Sequence, residues 1–242
     1  TLNWDSFNIA QGHTVTFDQP SASALAINLI HQSDPSNIRG NLTANGEVWL
    51  INQNGVVFGD GARVDVRGLI ASSLSPTQAA LQNGIAPPNA LGFDGKSFEG
   101  PLDANGIALA GAVTVDANAR LTTNAASGRI FLLAPKVSNQ GVITAKDGQV
   151  ALAAGSEVYI RQPGAGQGGG LLVEVGKGGI LTNGADTNAG QKDPSKLLGQ
   201  VIADRGTATL VGLSVNQLGR VSANSAVRAN GTPPNNLWFY HV

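Results

Sequence analysis

Three histidines, His13, His31 and His241, are the side chains best suited to proton transfer or metal binding near neutral pH, and their placement supports neither role. They lie far apart, and the chain has 0 Cys, so no group with metal-ligand spacing forms. A Ser-His-Asp nucleophile would need one of these histidines beside an activated serine, and no Gly-x-Ser-x-Gly elbow occurs. Glycoside chemistry would draw on Asp60, Asp65, Asp94, Asp103, Asp116, Asp147 and Glu157, because hydrolases and lyases need carboxylates converging on one face. These acids are mostly single, in contexts such as Asp-Gly and Asp-Ala-Asn, and read as turn formers and solvated corners. Gly176-Lys177-Gly178-Gly179 lacks the upstream Gly and the following Ser or Thr of a phosphate loop and reads as a corner. Asn41-Leu42-Thr43 and Asn230-Gly231-Thr232 fit a glycosylation sequon that also arises by chance. The sequence therefore predicts no catalytic residue, no metal site and no cofactor.

The elements that carry these residues are short β runs closed by Gly or Asn. Glu47-Val48-Trp49-Leu50-Ile51, Gly55-Val56-Val57-Phe58 and Arg63-Val64-Asp65-Val66 come first. Ala112-Val113-Thr114-Val115, Arg129-Ile130-Phe131-Leu132-Leu133, Gly141-Val142-Ile143-Thr144 and Gln149-Val150-Ala151-Leu152 follow. Gln200-Val201-Ile202-Ala203 and Thr207-Ala208-Thr209-Leu210-Val211 close the series. Runs this short between turn formers are strands.

The runs repeat. Ser127-Gly128-Arg129-Ile130-Phe131-Leu132-Leu133-Ala134 recurs as Asp147-Gly148-Gln149-Val150-Ala151-Leu152-Ala153-Ala154, so Gly128 and Gly148 mark one period. Gly206-Thr207-Ala208 has the same shape, close to three further periods beyond Gly148. A period of about 20 residues with several strands in each is a β-solenoid signature. The expected fold is all-β: a right-handed parallel β-helix with an N-terminal cap over residues 1–40. An excursion outside the helix is expected over residues 76–101, beginning with a short helix at Thr77–Asn83. Loops are expected at Gln162–Gly170 and Asn183–Pro194. Corners demand φ > 0 or self-bonding side chains, and Asn45, Gly46, Asn139, Gly141 and Gly148 are the predicted corner residues. Leu237-Trp238-Phe239-Tyr240-His241 is expected to pack on the last coil. Residues 1–242 read as a single domain.

Composition agrees with stacked neutral rows. Charged residues are 13% against about 25% in ordinary soluble domains, and 42% are hydrophobic. Net charge is −1, without the basic face of a nucleic-acid binder. The opening Thr1-Leu2-Asn3-Trp4 has no signal-peptide pattern and reads as a mature or excised N-terminus, the start of a fragment of a larger protein.

The most specific text is Gly40-Asn41-Leu42-Thr43-Ala44-Asn45-Gly46-Glu47-Val48-Trp49-Leu50-Ile51-Asn52-Gln53-Asn54-Gly55-Val56-Val57-Phe58-Gly59. Trp4-Asp5-Ser6-Phe7-Asn8-Ile9 precedes it and Gly68-Leu69-Ile70-Ala71-Ser72-Ser73-Leu74 follows. With these, the chain resembles the two-partner secretion domain of filamentous-haemagglutinin-like exoproteins of Gram-negative bacteria. The resemblance implies recognition by an outer-membrane transporter barrel through its periplasmic adaptor domains. It further implies passage unfolded and folding outside the cell, where the first coils template the rest. The parent would be secreted or surface-bound as an adhesin, haemolysin, haem scavenger or contact-dependent toxin, as a monomer with reach to surface glycans. The family turn Asn-Pro-Asn-Gly stands here as Asn52-Gln53-Asn54-Gly55, the expected turn and transporter-recognition motif, with the stiffening Pro replaced. A β-helical polysaccharide-binding or polysaccharide-cleaving protein is the alternative reading, and a direct adhesin a third.

Overall fold

The computed structural model describes residues 1–85, 95–104, 109–163, 170–223 and 237–241. Three parallel sheets wind around one apolar interior in a β-helix-like stack. The first holds Leu2–Trp4, Leu25–Ile30, Glu47–Asn52, Gly68–Ser72, Arg129–Ala134, Gln149–Arg161, Thr207–Gly212 and Leu237–His241. The second holds Ser36–Ile38, Val56–Phe58, Ala112–Val115, Lys136–Asn139, Ile180–Asn183 and Ser214–Gln217. The third holds Thr14–Phe17, Asn41–Ala44, Arg63–Val66, Arg120–Thr123, Val142–Thr144, Gln200–Ile202 and Arg220–Ser222. Each strand of the first sheet opens a rung, which then contributes one strand to each of the other two where it is complete.

Side-chain alternation separates the sheets. In Arg63–Val66, Val64 and Val66 point inward while Arg63 and Asp65 face solvent, the period-2 pattern of a sheet wet on one side. The first sheet instead carries continuous apolar runs because both its faces are dry. In Arg129–Ala134, Ile130, Leu132 and Ala134 join the interior of the coil. Phe131 and Leu133 join a second cluster on the outer face. An antiparallel layer covers that outer face: Gln149–Arg161 runs on past the coil and pairs with Leu172–Gly178 and with Phe98–Glu99. Phe98–Glu99 also pairs with Ser75–Pro76, so the excursion folds back onto the stack. Its helix, Gln78–Asn83, starts at Thr77, whose side chain accepts from the Ala80 N–H.

The offset from Gly128 to Gly148 is a rung spacing: Arg129 pairs with Gln149 and Ala134 with Ala154. The offset from Gly148 to Gly206 is not three periods. Gln149 pairs directly with Thr207, so a single rung step separates them. The surplus residues are the antiparallel hairpin and a corner insertion with two short 3₁₀ turns, Asp186–Asn188 and Pro194–Lys196. The Leu172–Gly178 strand lies outside the predicted runs; its glycines, Gly176 and Gly178, disguise it as a corner.

Residues 1–40 are themselves wound. Leu2–Trp4 pairs in parallel with Leu25–Ile30, and Thr14–Phe17 with Asn41–Ala44. The end of the stack is closed by rings: Trp4 meets Phe7 edge-on at 5.3 Å, and Phe7 stacks on Phe17 at 6.3 Å. Leu237–His241 adds in parallel to Thr207–Gly212.

Candidate functional site

The Asn52–Gly55 turn connects the first and second sheets. Gly55 N–H donates to the Asn52 carbonyl at 2.8 Å, closing a tight turn. The Asn52 side chain is fully buried. Its Oδ1 accepts from the Asn54 N–H at 2.9 Å, and its Nδ2 donates to Ser36 Oγ and the Asp34 carbonyl, both at 3.0 Å. Asn54 Nδ2 donates down to the Gln32 carbonyl at 2.9 Å. On the other side Gly111 N–H donates to the Gln53 carbonyl at 2.7 Å. Gly55 has φ +112°, and a Cβ there would lie 2.5 Å from the Ala112 carbonyl. The turn is thus clamped between neighbouring rungs. Only Gln53 and Asn54 are exposed.

Gln53 occupies the second turn position, where Pro presets φ. Gln53→Pro is expected to raise stability by about 0.5 kcal/mol by restricting the unfolded chain. It sacrifices one exposed hydrogen bond, Gln53 Nε2 to Ser75 Oγ. A thermal melt reads this directly; a fall in midpoint would show that Gln53 does not hold turn geometry.

The other predicted corners fall into three types. Asn45 exchanges two hydrogen bonds with the Gln19 backbone, at 2.8 and 2.7 Å, and Gly46 N–H donates to Gln19 Oε1 at 3.0 Å. Asn139 is buried; its Oδ1 accepts from Gly141 N–H at 3.0 Å and its Nδ2 donates to Asn183 Oδ1 at 2.7 Å. Asn183 Nδ2 then donates to Gln217 Oε1 at 2.8 Å. These three amides hold one register of the second sheet, a polar ladder through the stack. Gly148 belongs to a third type. Its own φ is not left-handed; Asp147 before it takes φ +55°, as Ser127 and Arg205 do at the matching corners with +61° and +56°. Gly148 is required because a Cβ there would sit 2.0 Å from the Gly128 carbonyl. The expectation that φ > 0 selects glycine at this corner is therefore corrected: close stacking of rungs selects it.

The ladder partners Asn183 and Gln217 escaped the sequence reading, although Asn139-Gln140-Gly141, Asn183-Gly184 and Gln217-Leu218-Gly219 share an amide followed closely by Gly.

A charged cluster on the antiparallel layer was also missed. Glu157, with its side chain 13% exposed, pairs with Lys96 at 3.0 Å and Lys177 at 3.4 Å. Tyr159 Oη lies 3.2 Å from the Glu157 carboxylate. Desolvation pushes the Glu157 pKa up, but the two lysines outweigh it and hold the carboxyl below its ordinary 4.5. A depressed carboxylate stabilises the fold fully above its unfolded pKa and loses that contribution as pH falls through the folded one. Acid is therefore expected to loosen residues 155–161 and Leu172–Gly178 as pH drops below about 4.5, read by hydrogen exchange. In Glu157→Gln the same segments should lose that pH dependence; an unchanged profile would place the titration elsewhere.

Among the described residues, the acids considered for glycoside chemistry do not converge on a shared carboxylate set. Asp147 is held by a bidentate pair with Arg205, which lowers its pKa. Asp60, Asp65 and Asp116 are exposed, and Asp94 lies outside the described residues. His13 and His31 are exposed, with His31 Nε2 at 3.1 Å from Asn3 Oδ1. The His241 side chain and the Asn230 sequon lie outside what is described. No group of three or more His, Cys, Asp or Glu able to hold a metal occurs among the described residues.

The sequence matches the family described as TPS secretion domain over residues 1–233. The chain belongs to the TPS secretion domain family. This TPS domain is 33% identical over 155 residues to a heme/hemopexin-binding protein of Haemophilus influenzae strain Rd, covering 64% of the chain and 16% of that protein. A second Haemophilus influenzae protein of the same description is 44% identical over 72 residues, covering 30% and 8%. The crystal structure of the HMW1 secretion domain from Haemophilus influenzae superposes with a TM-score of 0.71 at 20% identity, over 98% of this chain and 54% of that one. That likeness supports the fold. The TPS domain spans a small part of the curated relatives it matches.

Proposed function

We propose that this chain is the secretion domain of a large Gram-negative exoprotein and acts as an export signal and a folding template, not as an enzyme. The TPS family match over residues 1–233 carries the reading. An outer-membrane transporter of the two-partner secretion type is the proposed partner. Its periplasmic adaptor domains capture the unfolded N-terminal segment, residues 1–75, by pairing with its strand-forming runs. The absence of cysteine suits passage through a narrow barrel, since no disulfide loop can form. Outside the cell the first rungs fold and present free strand edges to each following rung. Winding is right-handed in this reading, the sense favoured for parallel strand connections. The domain works as a monomer, at the surface or in the medium.

The two matching relatives are described as heme/hemopexin-binding, so haem capture stands beside adhesion, haemolysis and toxin delivery as the role of the parent. The regions that perform it lie outside this domain in this reading. Glycan contact would likewise belong to the full-length protein.

A pull-down with the transporter's adaptor domains tests recognition. The unfolded chain is expected to bind, and a Gln53→Ala/Asn54→Ala pair to bind nearly as well, because capture rests on the strand-forming runs, which neither substitution removes. Failure of both folded and unfolded chain to bind would overturn the reading.

A further inference from the structure

In a simple solenoid each coil touches only its neighbours, and stability accumulates one repeat at a time. Phe98 breaks that rule. It belongs to the excursion that interrupts the fourth rung and is fully buried. Its ring lies 5.7 Å from Trp49 of the third rung, while its backbone pairs with Val158, the extension of the sixth. Ser97 beside it is fixed on three sides. Its N–H donates to the Val158 carbonyl at 2.8 Å, its carbonyl accepts from Thr77 N–H at 3.0 Å, and its Oγ accepts from Ile160 N–H at 3.1 Å. Lys96, just before Phe98–Glu99, and Lys177, in Leu172–Gly178, both reach Glu157.

These contacts seal the outer apolar cluster. Trp49, Ile70, Phe131 and Ala151, from rungs three to six, form one wall, and Phe98 and Val158 belong to the cover. The remainder of the fourth rung and the whole of the fifth intervene between Phe98 and Val158 before they pair. Among the described residues the strand partners of Phe98–Glu99 are Ser75–Pro76 and Gln149–Arg161. Among the described residues, Phe98–Glu99 thus gains its pairing with the stack only when the sixth rung is present.

We propose that Ser75–Pro76 and residues 96–100 of the excursion, with residues 155–161 and Leu172–Gly178, form a latch that couples rungs three to six into a single cooperative unit. The unit opens and closes as a whole and does not zip one rung at a time. The outer face of the first sheet stays uncovered until residue 178 has joined. The latch is a property of this chain and stands whether or not the export reading holds.

Native-state hydrogen exchange on the whole chain tests it. Amides of Glu47–Asn52, Arg129–Ala134 and Gln149–Arg161 are expected to share one opening equilibrium. Phe98→Ala should accelerate all three by a common factor, about a hundredfold or more, as removal of a fully buried ring does. Ser97→Ala, which deletes the hydroxyl that Ile160 N–H uses, should accelerate them together by about tenfold and keeps the test open if Phe98→Ala does not fold. Acceleration confined to residues 96–100 and 157–160, with Glu47–Asn52 unchanged, overturns the latch.

Discussion

Gly148→Ala is expected to remove about 3 kcal/mol of stability, although it adds a single methyl group to a residue of ordinary φ. The new Cβ would sit 2.0 Å from the Gly128 carbonyl, and rungs five and six would have to part at that corner. The next corner is built alike, with Gly206 as close to the Gly148 carbonyl, so displacement propagates. Gly12→Ala is the control. Gly12 has φ +80° and open space around it, so its substitution carries backbone strain alone, about 1 kcal/mol. Denaturant melts should rank Gly148→Ala well below Gly12→Ala. The reverse order would mean that torsion and not stacking fixes glycine in this fold.

Asn139→Ala is expected to cost about 3 kcal/mol, because it strips partners from two buried groups at once. Gly141 N–H loses its acceptor and Asn183 Oδ1 loses its donor, in a site closed to solvent. Hydrophobic replacement of both amides, Asn139→Leu/Asn183→Leu, should recover part of the loss, since an unmatched amide is worse than none. A double-mutant cycle on Asn139 and Asn183 is expected to give a coupling of about 1–2 kcal/mol. Additive effects would show that the ladder is not a connected unit.

Much of the stack was legible because its grammar is local. Arg63-Val64-Asp65-Val66 announces one dry face, and the pairing of Arg129 with Gln149 follows from a repeat visible in the text. The reason for glycine at Gly148 was not legible, because contact between successive rungs leaves no trace in a single turn. The unbroken run Ile130-Phe131-Leu132-Leu133 did hold a further message: both faces of that strand are covered. What covers it could not be read, since Phe98 finds Val158 across the rest of the fourth rung and all of the fifth, and Leu172–Gly178 is disguised by its glycines. Lys96, Glu157 and Lys177 are likewise brought together by tertiary pairing alone. The Asn52–Gly55 segment was legible as a turn, and Asn52 and Gly55 are buried within the stack.

Export itself gives the most direct measurement. The chain, directed to the periplasm of a Gram-negative host, is produced with and without its two-partner transporter, and the medium is assayed for protease-resistant protein. The account expects folded chain in the medium only when the transporter is present. Equal retention in the periplasm under both conditions would contradict it.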